Sequence, residues 1–197
     1  MEDVLTSVDN VVTEEMARSL TCSYTEEEVQ ADLFQMHPSK SPGPDSMSPF
    51  FFQKFWHIVG QDVTAAVLSV LDSGRYLHKM NYTHIVLIPK KKNPQLITEY
   101  HPISLGNVVS RIISKVLANR VKPILSKVIS DSQSAFVPDR LITDNTSVAY
   151  EMIHMMQNRQ GGKVRHMAIK LDVSKAYDRV EWEFLEKIML RIGFPEQ

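Results

Sequence analysis

Ile169-Lys170-Leu171-Asp172-Val173-Ser174-Lys175-Ala176-Tyr177-Asp178-Arg179-Val180 is the stretch on which the reading of the whole chain turns. A short apolar strand, expected over residues 166–171, runs into one carboxylate, Asp172. A helix expected over residues 174–192 then opens at once with Ser174. A strand end holds a carboxylate in a fixed place, and the free N–H groups of the next helix face anions. Phosphoryl-transfer sites combine the two, with a metal-binding Asp beside a cradle for phosphates. A β–α junction can also carry Asp or Ser merely as a helix cap. The rest of the chain has to decide between these readings.

The 197 residues suffice for one domain with a real core, and 43% apolar with 23% charged residues is a globular composition. No apolar run approaches the ~20 residues that span a bilayer. The acidic start Met1-Glu2-Asp3 resembles neither a secretory signal nor a transit peptide. Cys22 is the single cysteine and cannot form an internal disulfide, which fits a reducing nuclear or cytoplasmic setting. The seven histidines show no zinc-ligand spacing with it. The net charge of −1 conceals an asymmetry. Residues 1–32 hold nine acids against Arg18, whereas residues 75–127 hold ten Lys or Arg against Glu99. A polyanion would sit on the basic stretch, although a solvated helix face also collects lysines.

Periodicity and breakers divide the chain further. Residues 1–37 look helical, with Thr25 and Glu28 forming a capping box before Val29, Leu33 and Met36. Four prolines (Pro38, Pro42, Pro44, Pro49) and Gly43 break residues 37–49. Helices are expected over 50–60, ending at Gly60, and over 61–72, with Gly74 as the stop. The β-branched run 83–88 reads as a strand closed by Pro89, and 90–101 reads as a loop. Residues 108–130 are helical in period with a break or kink at Pro123. Residues 131–140 form a loop, 141–158 a helix and Gly161-Gly162 a turn. The apolar positions within 50–56 and 148–156 are expected to pack into a core.

Five segments stand out. They are Ser41-Pro42-Gly43-Pro44-Asp45, then His84-Ile85-Val86-Leu87-Ile88-Pro89-Lys90, then Pro102-Ile103-Ser104-Leu105. After them come Ser132-Gln133-Ser134-Ala135-Phe136-Val137-Pro138 and residues 171–178 of the opening stretch. Singly, each reads as a turn, a strand or a packed loop. In this order and separation they resemble the reverse transcriptases of LINE-type, non-LTR retrotransposons, above all those of plant genomes, over about residues 25–197.

The resemblance implies an α+β right-hand polymerase, here the fingers and the start of the palm, mostly helical, with residues 1–24 as a helical extension. It implies an RNA template, a DNA primer and dNTP substrates, with no membrane partner. Two Mg²⁺ ions would serve the chemistry, and the Asp at position 172 would be the catalytic residue bridging both. Backbone from Val173 through Ser174 and Lys175 to Ala176 would lie against the triphosphate, and Tyr177 under the sugar would exclude a 2′-hydroxyl. Lys90 would touch the nucleotide phosphates. Lys91, Lys92, Gln133 and Arg140 would lie along template or nucleic acid.

The chain departs from the family pattern in several places. His101 stands where the family has Arg, and Ser46 and Asp139 stand where it often has Gly. The family's second catalytic motif, an aromatic followed closely by two aspartates, does not occur, and there is no Asp-Asp pair in the sequence. The reading is therefore of a polymerase truncated before that motif and inactive by itself. The alternatives are a catalytically dead RNA-binding or interaction module, or an inert pseudogene product.

Overall fold

The computed structural model describes residues 5–76, 78–158, 167–173 and 176–196. The chain divides into two compact units, one of residues 22–120 and one of residues 1–21 with 121–197.

In the first unit the helices α2 (Glu26–Phe34), α3 (Pro49–Lys54), α4 (Trp56–Ser73) and the start of α6 (Val108–Val128) enclose the larger core. Val29, Leu33, Val67, Val108 and Ile112 are wholly buried there. They recur at helical spacing on their own helices, so each helix turns one apolar stripe inward. Thr25 starts α2 with the expected capping box: its hydroxyl accepts from Glu28 N–H, and Glu28 accepts from Thr25 N–H. The other end of α2 is closed from α3, where the Gln53 amide donates to the carbonyls of Leu33 (2.9 Å) and Met36 (2.8 Å). Gly74 ends α4 in the left-handed conformation at φ 65°, where a side chain would be strained.

Gly60 does not end a helix. The break falls at Phe55, and α4 runs through Gly60. A Cβ at Gly60 would meet the Trp56 ring at 2.8 Å, so the glycine is there to let an aromatic lie along the helix. Packing against the neighbouring helices outweighs the roughly 1 kcal/mol that a helical glycine costs.

After the short helix α5 (His78–Asn81), strand β1 (Thr83–Pro89) pairs antiparallel with β2 (Tyr100–Gly106), Thr83 facing Gly106 and Pro89 facing Tyr100. The expected loop over 90–101 is thus shorter, and 100–106 is a strand. Pro102 lacks an N–H, but a two-stranded ribbon has only edge strands, and an edge tolerates the missing donor.

The second unit has a smaller core of Val12, Met16 and Ile124, flanked by Leu20, Val121, Val128, Ile192 and Phe194. Helix α1 (Glu14–Thr21) supplies the N-terminal part of it. The Val11 and Val12 N–H groups both donate to Ile192 O, at 2.9 and 3.0 Å, so residues 11–12 are stitched to the end of α9 (Trp182–Ile192). Pro123 lies inside α6 rather than ending it. Helix α7 (Ile142–Asn158) forms as expected, but Val148, Met152, Ile153 and Met155 are exposed, so the expected packing of this stretch is not made.

Two further expectations change. Residues 167–173 hold no strand and are exposed, with His166 outside the described residues. A strand needs a neighbour for its N–H and C=O groups, and among the described residues β1 and β2 pair only with each other. The long last helix is two pieces, α8 (Ala176–Arg179) and α9, interrupted at Val180 and Glu181. The Gly161-Gly162 turn lies outside the described residues.

Candidate functional site

The hairpin of β1 and β2 brings three cations of the basic stretch, Lys90, Lys91 and Lys92, to its tip. Its register puts His84, Val86 and Ile88 on one face with Leu105, Ile103 and His101, and Ile85 and Leu87 on the other with Ser104 and Pro102. The residues 84–89 and 101–104 are exposed on both faces. The ribbon therefore projects from the first unit rather than lying in its core.

Lys90 follows β1 and starts the tip. Its N–H donates to Glu99 O at 2.8 Å and its ammonium to Thr98 O at 2.9 Å, which draws the tip closed. Glu99 is the lone acid of the basic stretch, and its task is structural. It accepts N–H bonds from Gln95 (2.6 Å) and Leu96 (3.2 Å) and pairs with the Lys91 ammonium. The Lys91 hydrogen bond, then the two backbone donors, hold the Glu99 carboxyl below its ordinary pKa. A short 3₁₀ turn (Ile97–Glu99) completes the loop. Lys90, Lys91 and Lys92 are all exposed, so the tip gathers three cations in one turn, Lys91 among them already paired with Glu99. Such a cluster neutralises phosphates, and its hold weakens with salt.

Gln133 and Arg140 belong to the second unit, in the loop between α6 and α7. Gln133 is exposed. The Arg140 guanidinium is turned inward on the loop. It donates to the carbonyls of Ser126, Ile129, Ser130 and Gln133, and it pairs with Asp131 at 3.0 Å. An arginine fork has five donors, and here they gather the open carbonyls at the end of α6 and fold the loop behind it. Ser134 is buried and donates to Asn145 Oδ1 at 3.0 Å, tying the loop to α7. Within this loop Phe136 and Asp139 adopt left-handed backbone, at φ 64° and 62°.

Asp172 and Val173 lie in the exposed irregular segment. Ser174 and Lys175 lie outside the described residues, Ala176 begins α8, and Tyr177 is placed by its backbone in that helix. Among the described residues no group of three His, Cys, Asp or Glu could hold a metal ion. Asp172 by itself supplies one carboxylate, fewer than a two-metal centre needs.

The structure also shows residues that the sequence reading passed over. Arg120 is the nearly buried half of an ion pair with Glu28 in the first unit. Its guanidinium donates to both Glu28 oxygens (2.8 and 2.7 Å) and to the Cys22 and Ser23 carbonyls. It also lies 3.7 Å above the Tyr24 ring. That hydrogen bond holds the Glu28 carboxyl below its ordinary pKa despite partial burial. Asp32 goes the other way: burial raises it, and the Asn119 amide that donates to it only partly compensates. No local pattern pointed to these pairings, because the partners lie about 90 positions apart (|i−j| of 92 for the Arg120–Glu28 pair).

The structure thus supplies a hairpin with a lysine tip in one unit and an exposed Asp172 segment in the other. The sequence profile described as "Reverse transcriptase (RNA-dependent DNA polymerase)" matches residues 88–197, more than half of the chain. The chain belongs to that family. It is 32% identical over 187 residues (95% of its length) to the transposon TX1 uncharacterized 149 kDa protein of Xenopus laevis. It is 25% identical over 174 residues (87%) to the retrovirus-related Pol polyprotein of the type-2 retrotransposable element R2DM of Drosophila melanogaster. A Pol polyprotein of the type-1 retrotransposable element R2 of Nasonia vitripennis is 28% identical over 153 residues, 78% of the chain. The chain spans 14–15% of the length of these relatives. The resemblance to LINE-type, non-LTR reverse transcriptases stands. Among the described residues no helix is long and apolar enough to cross a membrane.

Proposed function

We propose that this chain is the part of an RNA-directed DNA polymerase of a LINE-type element that first meets nucleic acid and nucleotide. One observation carries the reading most directly. The family match begins at residue 88, where the hairpin turns into its lysine tip, and runs on through the Asp172 segment. The lysines that we assign to phosphate and the carboxylate that we assign to catalysis both fall within the matched residues.

In this proposal residues 25–197 are fingers and the beginning of a palm, and residues 1–24 are an extension joined to it. Lys90 meets the incoming phosphates, while Lys91, Lys92 and Gln133 follow the template. Arg140 enters through the loop it shapes. Asp172 would supply one carboxylate of a Mg²⁺ site that needs further ligands from the rest of the polymerase. The backbone around Val173, Ser174, Lys175 and Ala176 takes the triphosphate, and Tyr177 screens the sugar. The template is RNA, the primer DNA, and the setting nuclear or cytoplasmic.

The test is primer extension on an RNA template by a polypeptide that joins this chain to the remaining palm and thumb of a related element. Asp172→Ala should abolish extension, by at least about 10³-fold if the carboxylate is essential to the chemistry. Tyr177→Ala should let ribonucleotides in. Extension that survives Asp172→Ala would end the assignment.

A further inference from the structure

The hairpin is exposed on both faces, so the direction in which its lysine tip points must be set at its base. There the Pro/Gly loop meets the junction between β2 and α6. Arg111, one turn into α6, donates to Gly106 O from Nε (3.0 Å) and from Nη2 (2.7 Å), and the same Nη2 donates to Ser41 O at 2.6 Å. Asn107 Oδ1 accepts from Asp45 N–H at 3.3 Å. Between these two bonds Gly43 sits against the junction so closely that a Cβ would lie 2.5 Å from Asn107 Oδ1 and 2.6 Å from the Gly106 carbonyl carbon. The Asn107 backbone nitrogen is also within 2.6 Å, and with the Gly106 carbon it is main chain, so the contact cannot be relieved by a side chain moving aside.

The other strand is tied at the same end. Ser110, one residue before Arg111, donates to Met80 O just ahead of β1, and Thr83 faces Gly106 across the ladder. The residues of this arrangement come from three distant stretches: 41–45, 80–83 and 106–111.

We propose that Arg111, working with Gly43 and Asn107, is the positioning residue that fixes how the hairpin projects from the helical core, and hence where Lys90–Lys92 meet phosphate. The inference deepens the proposed function and rests on it for the word phosphate; the mechanical lock does not. Lysine cannot replace the fork, because one ammonium does not span two carbonyls with the same rigid geometry. Pro42 and Pro44 have their use here: they stiffen the loop so that Ser41 O and Asp45 N–H arrive together.

The test is carried out on the full chain. A nitroxide is placed at the hairpin tip through Gln95→Cys in a Cys22→Ser background, and in a second sample on α4 through Asp62→Cys. In Arg111→Met and in Gly43→Ala the tip label should gain mobility while the α4 label keeps its spectrum, and Arg111→Lys should fall between. Binding of a fluorescent single-stranded RNA should weaken about tenfold with the tip loosened, in keeping with the cost of misplacing a contact group. An unchanged tip label would overturn the proposal, as would equal loosening at both labels, which reports general unfolding. A mobile tip with undiminished RNA affinity would also overturn it. If the unsubstituted chain binds no RNA, the nucleic-acid reading of the hairpin fails, and the two labels still decide the lock.

Discussion

The two units differ in how fully each satisfies its own apolar residues. In residues 22–120 the helices turn Val29, Leu33, Val67, Val108, Ile112 and Val116 against one another with almost no exposure. In residues 1–21 with 121–197 the core reduces to Val12, Met16 and Ile124 with their flanks, while Tyr150, Met152 and Met155 on α7 stand 56–71% exposed. Both stretches have the same kind of periodic sequence. The difference lies in what the chain brings to them. Helices α2, α3, α4 and α6 find each other within about 100 residues, whereas α7 finds no apolar face among the described residues. Amphipathic periodicity shows that a helix wants a partner; it does not show where the partner is.

The largest test of that contrast is a pair of truncations. Leu33→Ala opens a cavity in the first core and should cost about 3 kcal/mol, as fully buried leucines do. Met152→Ala on α7 should change stability by less than about 0.5 kcal/mol. Guanidinium unfolding followed by Trp56 fluorescence, with Trp182→Phe as background, reads both. Equal losses would show that α7 is packed in solution and would erase the contrast.

Next in size is the Arg120–Glu28 pair, where Arg120→Met should cost about 2–3 kcal/mol, since a nearly buried guanidinium is removed and four acceptor oxygens lose their donor. The deficit should depend on pH. The lowered Glu28 pKa gives stability that is present above about pH 4.5, the ordinary glutamate value, and is lost as pH falls through the lowered one. The deficit of the variant should therefore shrink on acidification below that point. Asp32, raised by burial, has the opposite sign: the folded chain takes up its proton first, so folding gains as pH falls through the raised value. A deficit unchanged down to pH 3 would mean that the pair contributes little.

Smaller effects should come from backbone that sequence resemblance had already singled out. Ser46 and Asp139 stand where related enzymes often have glycine, and both adopt left-handed backbone, at φ 59° and 62°. A side chain is strained there, so Ser46→Gly and Asp139→Gly should each stabilise by about 1 kcal/mol in thermal melts. A loss in either would show that its side chain contributes more than its backbone costs. The smallest change concerns Thr64, whose buried hydroxyl has no hydrogen-bond partner among the described residues. Thr64→Val should leave stability level or raise it by up to about 1 kcal/mol.

What could be read from the sequence follows the range of the interactions. The Thr25–Glu28 capping box, the Gly74 stop and the β-branched strand after Tyr82 all appear where local chemistry placed them, because each depends on residues within a few positions. β2 was hidden because Pro102 argues against a strand until one sees that the ribbon has no inner strand. Gly60 suggested a helix end because the ring it accommodates cannot be seen in a local pattern. The strand before Asp172 needed a neighbour that the described residues do not provide. At the candidate site the lysine tip and Gln133 were legible as exposed polar groups. The inward turn of Arg140 was not, since its carbonyl partners carry no sequence signature.

The most direct test of the account compares the two basic features in one titration. Single-stranded RNA is bound to the full chain across roughly 50–300 mM salt, for the unsubstituted chain, for Lys90→Ala/Lys91→Ala/Lys92→Ala, and for Arg140→Ala. The slope of log K against log salt should become shallower by about 2 when the three tip lysines are removed, following about 0.7 per phosphate neutralised. Arg140→Ala should lower thermal stability and leave the slope in place. A slope unaffected by the lysines, or one that collapses with Arg140 alone, would contradict the assignment of the hairpin tip as the surface that meets nucleic acid.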